Sequence, residues 1–522
     1  MKIFLDNSVE IGYTTISQRL NHIITGITLG GTRMAIITEE QINKMFVQYN
    51  PWWNEPDTPI REAQLHKRVA FHETVKTIEH EDIRRFVLLS GMRRVGKTTI
   101  LYQLIERLLA QGVAPKNILY VSFDNPIVKM VNMDMVLEAY DHRFPAEGER
   151  YLLFDEIQYA DSWELWMKVI YDMRKDIKMV ATGSASPILE RGSADSGVGR
   201  WRVLRVPPLS FYEYCELLEL KERPSASFDV RPSDLIGMTK PELLDMVGKF
   251  SNLQTHFNRY LNVGGFPELV VSNGSFAEAQ RMLRDDVADK VIKRDVLSLF
   301  NVRSPISMEK LFLYLCMNST EIFSTQTAAK ELESISTATI EEYLRFLEQS
   351  NLIYISQPTS VGSKAALKGR PKIYIADAAI RNAVLMIDDA LADEQTLGLM
   401  VETAVYQHIR SFYGNVSAII GYYRKAKENQ KEVDVVVEMP MRQKYLFEVK
   451  YRNNASLSTT DAIIALSNEE NSRVAQSFVI TKNWMDCGPS NHETTAPVFR
   501  IPALMFLYML GKMTAQGADG KI

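Results

Sequence analysis

The stretch from Gly91 to Thr99, reading GMRRVGKTT, limits what this chain can fold into more than any other. It follows a short apolar, β-rich run, Arg85 to Ser90, and leads into Ile100 to Leu109, which is apolar at helical spacing. Strand, glycine loop and helix start therefore stand in the order that the pattern G-x-x-x-x-G-K-[ST] needs, with Gly91, Gly96, Lys97 and Thr98 at its fixed positions. Such glycines let the backbone wrap around a triphosphate. Successive N–H groups across Arg93, Arg94, Val95, Gly96, Lys97, Thr98 and Thr99 then point at its oxygens, and the helix N-terminus adds partial positive charge. Lys97 reaches the β- and γ-phosphates, and the Thr98 hydroxyl holds Mg²⁺. The expected ligands are ATP and Mg²⁺.

Tyr151 to Glu156 reads YLLFDE, an apolar strand ending in two carboxylates. Downstream of a phosphate loop, Asp155 is expected to hold Mg²⁺ and Glu156 to orient and polarise the attacking water as general base. The competing reading is a buried strand ending in solvated acids. Lys178 to Ser186 is a further strand with a polar C-terminal end. Thr182 or Ser184 would sense the γ-phosphate there, or simply satisfy a strand-to-helix turn. Arg191 to Arg205 is glycine-rich and carries four arginines. Arg200 is the one chosen to stabilise transition-state charge, in its own site or a neighbour's, against the alternative of a surface charge.

Length and composition set the frame. A chain of 522 residues suggests about three to four domains. With 46% hydrophobic and 24% charged residues it reads as an ordinary globular protein. A net charge of -4 argues against a generally basic nucleic-acid coat and leaves a local basic groove open. The three cysteines, Cys215, Cys316 and Cys487, show no metal spacing and read as reduced thiols of a cytoplasmic protein. No apolar run approaches membrane-spanning length, and Lys2, Asp6 and Glu10 do not make a signal peptide.

Residues 1–60 read as an extension and arm, with Met34 a possible start and Thr38 the N-cap of a helix through Phe46. Trp52 and Trp53 are expected to anchor this arm. An ATPase core follows over 61–220 and a helical lid over 221–303, turning at Gly264 to Pro267. Over 304–385 three helices precede a hairpin, Leu352 to Ile355 with Lys372 to Ile375, which makes a winged helix. Its third helix exposes Glu341, Glu342 and Glu348 against only Arg345, a poor surface for phosphates; the hairpin tip carries Lys364, Lys368 and Arg370. DNA contact and a structural connector both remain open there.

Residues 386–522 hold a second constellation. Glu402 lies on a helix, Asp434 on an alternating strand, and Glu448 and Lys450 share one face of the next strand. Two or three carboxylates around a hard cation suit Mg²⁺ or Mn²⁺, with Lys450 assisting. An alternating hairpin with a salt-bridged surface is the plainer alternative.

Taken together, GMRRVGKTT, YLLFDEIQ, VATGSAS, VGRWRVLRVPPLSFYEY, YLNVGGFPELV, VIKRDVLSLFNVRS, PKIYIADAAIRNA, GLMVETAVYQHI, KEVDVVVE and YLFEVKY resemble the prokaryotic AAA-type, archaeal-ATPase-like group. That group joins a P-loop core to a C-terminal region of poorly defined role. The resemblance implies an α/β fold with a P-loop NTPase parallel sheet, and rings of that type place arginines in trans, so a homo-oligomer is one expectation. The C-terminal hairpin resembles the PD-(D/E)xK nuclease superfold. Asp434 matches its metal-binding acid, Glu448 and Lys450 its ExK pair, and Glu402 an extra helical acid, while Val433 stands where proline often precedes the acid. The two resemblances imply an Mg²⁺-dependent ATPase driving a DNA-acting, nuclease-like domain. The alternative is a nucleotide-state switch that recruits DNA or a protein partner.

Overall fold

Strand β1 (Phe86–Ser90) is buried along its whole length. Its side chains alternate between two cores. Val87 and Leu89 face a cluster with Leu104 and Phe211, whereas Phe86 and Leu88 face Leu119, Phe154 and Trp163. A run apolar on both faces is what a central strand of a parallel sheet needs. The computed structural model supplies that sheet. It describes residues 37–522 apart from positions 81, 146, 184–198, 226, 273, 298, 299, 301, 334, 360–368, 388, 415, 417, 425–431, 441, 442, 470–472, 518 and 519. The expectations placed on residues 1–36, Ser184, Arg191, Lys364 and Lys368 lie outside the described residues.

β1 joins β2 (Ile118–Ser122), β3 (Arg150–Asp155), β4 (Ile177–Gly183) and β5 (Trp201–Arg205) in the order β2-β3-β4-β1-β5, all parallel. β4 thus stands between the strand that feeds the glycine loop and the strand that ends in the two acids. The loop runs into helix α1 (Lys97–Ala110). Helix α2 (Trp163–Met173) packs into the second core through Trp163, Met167 and Ile170. The arm is pinned to β2: the Trp52 and Trp53 indoles both donate to the Ile118 carbonyl, at 3.2 and 2.9 Å.

Helix α3 (Phe211–Leu217) opens with a capping box between Ser210 and Glu213. Beyond it lie mostly helical segments, among them α4 (Pro267–Val271) and two π-type turns, Leu283–Asp289 and Val291–Val296. Helices Pro305–Met317, Thr325–Glu331 and α5 (Thr337–Gln349) follow, and α5 buries Ile340, Tyr343, Leu344 and Leu347. The hairpin after them, β6 (Ile353–Pro358) and β7 (Lys372–Ile375), does not stand alone. β6 pairs in parallel with β8 (Ile419–Arg424), Gln357 opposite Gly421. The hairpin is therefore one edge of an eight-stranded mixed sheet with β9 (Glu432–Glu438), β10 (Lys444–Lys450), β11 (Val474–Thr481), β12 (Gly488–Pro489) and β13 (Val498–Pro502), ordered β12-β13-β11-β10-β9-β8-β6-β7. Helices α6 (Glu394–Tyr413) and α7 (Ala503–Gln516) pack on each other, and α7 also packs on α3. One core runs from Val87 and Leu104 through Phe211, Phe257 and Tyr406 to Phe478 and Phe506, so both sheets share it. No helix among the described residues is long and apolar enough to cross a membrane.

His408 on α6 sits at the join between the two halves. Its Nε2 accepts from the Phe211 N–H at 2.9 Å, and its Nδ1 donates to the Ala404 carbonyl at 2.7 Å. Only the neutral ring can accept at Nε2. Burial, the largest influence, lowers its pKa from 6.5 to about 4. The folded value lies below the unfolded one, so the stabilisation is complete above pH 6.5 and drains away as pH falls toward 4. The loss amounts to about 3 kcal/mol at most. Thermal melts are expected to fall steadily from pH 7.5 to 4.5, and less steeply in His408→Gln.

Candidate functional site

The loop geometry follows from close packing. A Cβ on Gly91 would come within 2.2 Å of the Val206 carbonyl oxygen, and Gly96 takes the left-handed φ of 94° that starts α1. Lys97 is buried, and its ammonium donates to the Gly91 and Met92 carbonyls, both at 2.8 Å. Burial lowers its pKa, with Glu156 and Asp155 opposing that. The Thr98 hydroxyl donates to Asp155 Oδ2 at 2.8 Å. One hydroxyl and one carboxylate in contact fit the set that Mg²⁺ uses beside phosphate oxygens and water. Asp155 is held from two further sides, by the Tyr120 hydroxyl on Oδ2 at 3.1 Å and the Thr182 hydroxyl on Oδ1 at 2.5 Å. Thr182 Oγ also accepts the Glu156 N–H at 3.0 Å. The place of β4 between β1 and β3 explains this: its last residues lie between the loop and the acids. Thr182 is fully buried and braces both acids.

Glu156 adopts a left-handed φ of 52°, which swings it out of line with the strand. Its carboxylate accepts from Gln158 Nε2. Burial, chiefly, raises its pKa; Asp155 adds to the rise and Lys97 counters it. It lines a cleft of about 480 Å³ together with Gly96, Lys97, Thr98 and Thr99. Leu65, Leu217, Pro267 and Val271 form the apolar part of the same cleft, a wall suited to a flat heterocycle. These four were not singled out from sequence, because they come from separate segments that only the fold brings together. Another cavity, of about 520 Å³, lies between Arg205, Glu348 and Arg410, and none of Gly96 to Thr99 lines it.

The two loop arginines are engaged elsewhere. Arg93 pairs with the buried Asp295 at 2.5 Å, and Arg94 with Glu268 and, at 2.7 Å, with Asp286. All three carboxylates belong to the helical segment after α3. Arg200 departs further from expectation as a charge stabiliser in its own site. It directly precedes β5, and the register Phe86 to Trp201 and Ser90 to Arg205 puts it at the sheet end opposite the glycine loop. There it pairs with Asp172 of α2 at 3.0 Å. A parallel strand cannot bring its first and last residues to the same edge.

The C-terminal residues do converge. Asp434 on β9 accepts the Val449 N–H of β10 on Oδ2 at 2.9 Å, and Lys450 meets Glu448 at 3.2 Å. Lys450 also pairs with Asp461 at 2.6 Å. Between Glu402 and Asp434, however, stands the ammonium of Lys372 from β7. It lies 3.2 Å from Glu402, 3.0 Å from Asp434 and 3.0 Å from Glu432, and it is 2% exposed. The Tyr374 hydroxyl donates to Glu402 at 3.1 Å. Burial pushes Glu402 and Glu448 each up to about 7, with Lys372 and Lys450 respectively pulling the other way. Glu448 Oε2 is buried without a hydrogen-bond partner among the described residues. No group of three His, Cys, Asp or Glu among the described residues is arranged to hold a metal ion. Of the expected ligand set, Glu402 and Asp434 are brought together around Lys372, whereas Glu448 pairs with Lys450. Lys372, Tyr374, Glu432 and Asp461 were missed. The alternation of Lys372 and Tyr374 with two isoleucines was the available signal, and it was spent on the hairpin.

Three family models match consecutive parts of the chain: one described as an AAA domain over residues 83–215, and two domains of unknown function over 254–391 and 397–501. An uncharacterised protein of Haemophilus influenzae is 26% identical over 312 residues, covering 58% of this chain and 70% of that one. A second, from Methanocaldococcus jannaschii, is 26% identical over 388 residues, covering 72% and 78%. Among solved structures, the Aeropyrum pernix ORC1 protein in complex with DNA aligns over 64% of this chain and 96% of its own at 13% identity, with a TM-score of 0.29. A Thermotoga maritima RuvB Holliday junction branch migration motor aligns over 64% and 94% at 17% identity, with a TM-score of 0.23. The matched AAA model spans all five parallel strands, the glycine loop and the paired acids, so over residues 83–215 the chain is similar to AAA domains and carries their parallel sheet and glycine loop.

Proposed function

We propose that the chain binds ATP with Mg²⁺ in the cleft below α1, hydrolyses it, and uses the cycle to control its C-terminal half. The observation that carries this is the 2.8 Å contact between the Thr98 hydroxyl and Asp155, which joins the glycine loop to the acidic strand. Thr98 and Asp155 would hold Mg²⁺, which when bound neutralises charge on the phosphate oxygens. Lys97 binds the β- and γ-phosphates, exchanging its two backbone carbonyl partners for them. Glu156 takes the proton of the attacking water. Burial raises its pKa and strengthens it as a base, and the nearby Lys97 opposes that rise. Thr182 keeps both acids in line. Leu65, Leu217, Pro267 and Val271 receive the base. The carboxylates that hold Arg93 and Arg94 tie the lid to the loop, so phosphate competing for these arginines would loosen the lid.

Two readings of the C-terminal half remain, cutting of DNA or binding of DNA or protein without cutting. The Lys372 ammonium among the carboxylates favours the second. The test is phosphate release with Mg²⁺ and with chelator, followed by incubation with plasmid and Mn²⁺. ATP should turn over only with Mg²⁺, and the plasmid should stay uncut. No phosphate release under any condition would sink the ATPase reading. Nicking that disappears in Asp434→Ala would favour the nuclease.

A further inference from the structure

The carboxylates of the C-terminal cluster do not fit the divalent ion that a nuclease-like hairpin would hold. Lys372 Nζ donates to Glu402 at 3.2 Å and Asp434 at 3.0 Å, and forms a third ion pair with Glu432 at 3.0 Å. Three carboxylates therefore surround one ammonium. The ammonium occupies the space between these carboxylates that a divalent ion would need. Nor is the lysine free to swing away. It sits on β7, paired in register with Ser356 of β6. Tyr374, two residues along the same face, donates to the same Glu402 oxygen and keeps β7 seated over the cluster.

We propose that Lys372 is a built-in cation that replaces the divalent metal of this site, so that the C-terminal domain is held together and works without metal. An ammonium balances charge as a metal does, but it has no open coordination position and cannot activate water. The site is therefore a structural lock that fastens the hairpin to the sheet through α6 and β9. Glu448 lies outside the ammonium's shell and pairs with Lys450. This inference rests on the C-terminal geometry alone and stands whether or not ATP is hydrolysed.

The test is Mn²⁺ binding by the nucleotide-free, full-length protein, read as loss of the free-ion electron paramagnetic resonance signal, with Asp434→Asn as control. The parent should bind no Mn²⁺ that Asp434→Asn removes, and chelator should not shift its melting temperature. Lys372→Met should melt several degrees lower, take up one Mn²⁺ per chain, and regain part of the lost melting temperature when Mn²⁺ is added. The double variant Lys372→Met/Asp434→Asn should lose that uptake. Mn²⁺ bound by the parent in an Asp434-dependent way overturns the proposal. So does a folded Lys372→Met that takes up none. If Lys372→Met fails to fold, the parent titration against Asp434→Asn still decides.

Discussion

Glu156→Gln is expected to bind ATP as the parent does and to release phosphate on the order of 10²–10⁴-fold more slowly. The amide keeps the size of the side chain and its contact with Gln158 but cannot take a proton from water. Because Thr182 holds the Glu156 backbone N–H and not its carboxylate, the substitution leaves the brace on Asp155 in place. Binding should therefore survive. Equilibrium binding of a fluorescent ATP analogue and single-turnover phosphate release separate the two effects. Slow turnover with unchanged affinity is the outcome expected; equal loss of both would move Glu156 out of the chemistry and into the fold.

The second large effect concerns stability beneath the loop. Arg68 and Glu213 form a two-pronged pair at 3.1 Å on each side, with both side chains 8% exposed. Arg68 also donates to the Val95 carbonyl at 2.6 Å, and Glu213 accepts the Ser210 N–H at 3.0 Å. One buried pair thus supports the floor of the glycine loop and caps α3. Arg68 with its hydrogen bonds holds the Glu213 pKa down against the opposing effect of burial. Glu213→Ala leaves a buried guanidinium without its partner, which costs about 3–5 kcal/mol. Scanning calorimetry should show the melting temperature fall on the order of 10 °C, with ATP affinity falling too. Arg68→Met/Glu213→Leu should recover most of the stability and little of the affinity, because apolar replacement removes the stranded charge but not the need for a support under Val95.

Local patterns carried much of this in advance. The glycine loop, the strand before it and the helix after it were readable because each depends on neighbours within a few residues. YLLFDE was readable because a doubly buried strand must be apolar until it reaches the ligand edge. Strand order was not. The insertion of β4 between β1 and β3 turns Thr182 into the brace of both acids, and no spacing in the chain announces it. Register also decides where Arg200 lies relative to this chain's own site. Its glycine-rich surroundings suggest a loop near phosphate, but the parallel register of β5 with β1 carries it to the far edge. The ordered acids of the C-terminal half were readable one strand at a time. Lys372 was not, because its sequence shows only a local hairpin, and nothing in it announces that β6 pairs with β8 and so places β7 on the edge of the larger sheet. Long-range pairing is decided by packing, and a residue's task changes with the strand it lands beside.

Calorimetric titration tests most directly whether Lys97, Thr98 and Asp155 together form a seat for ATP and Mg²⁺. Purified parent protein titrated with a non-hydrolysable ATP analogue in Mg²⁺ should bind one equivalent per chain, and Lys97→Ala should remain folded and show no binding at the same concentrations. A Lys97→Ala protein that binds the analogue as tightly as the parent would contradict the account.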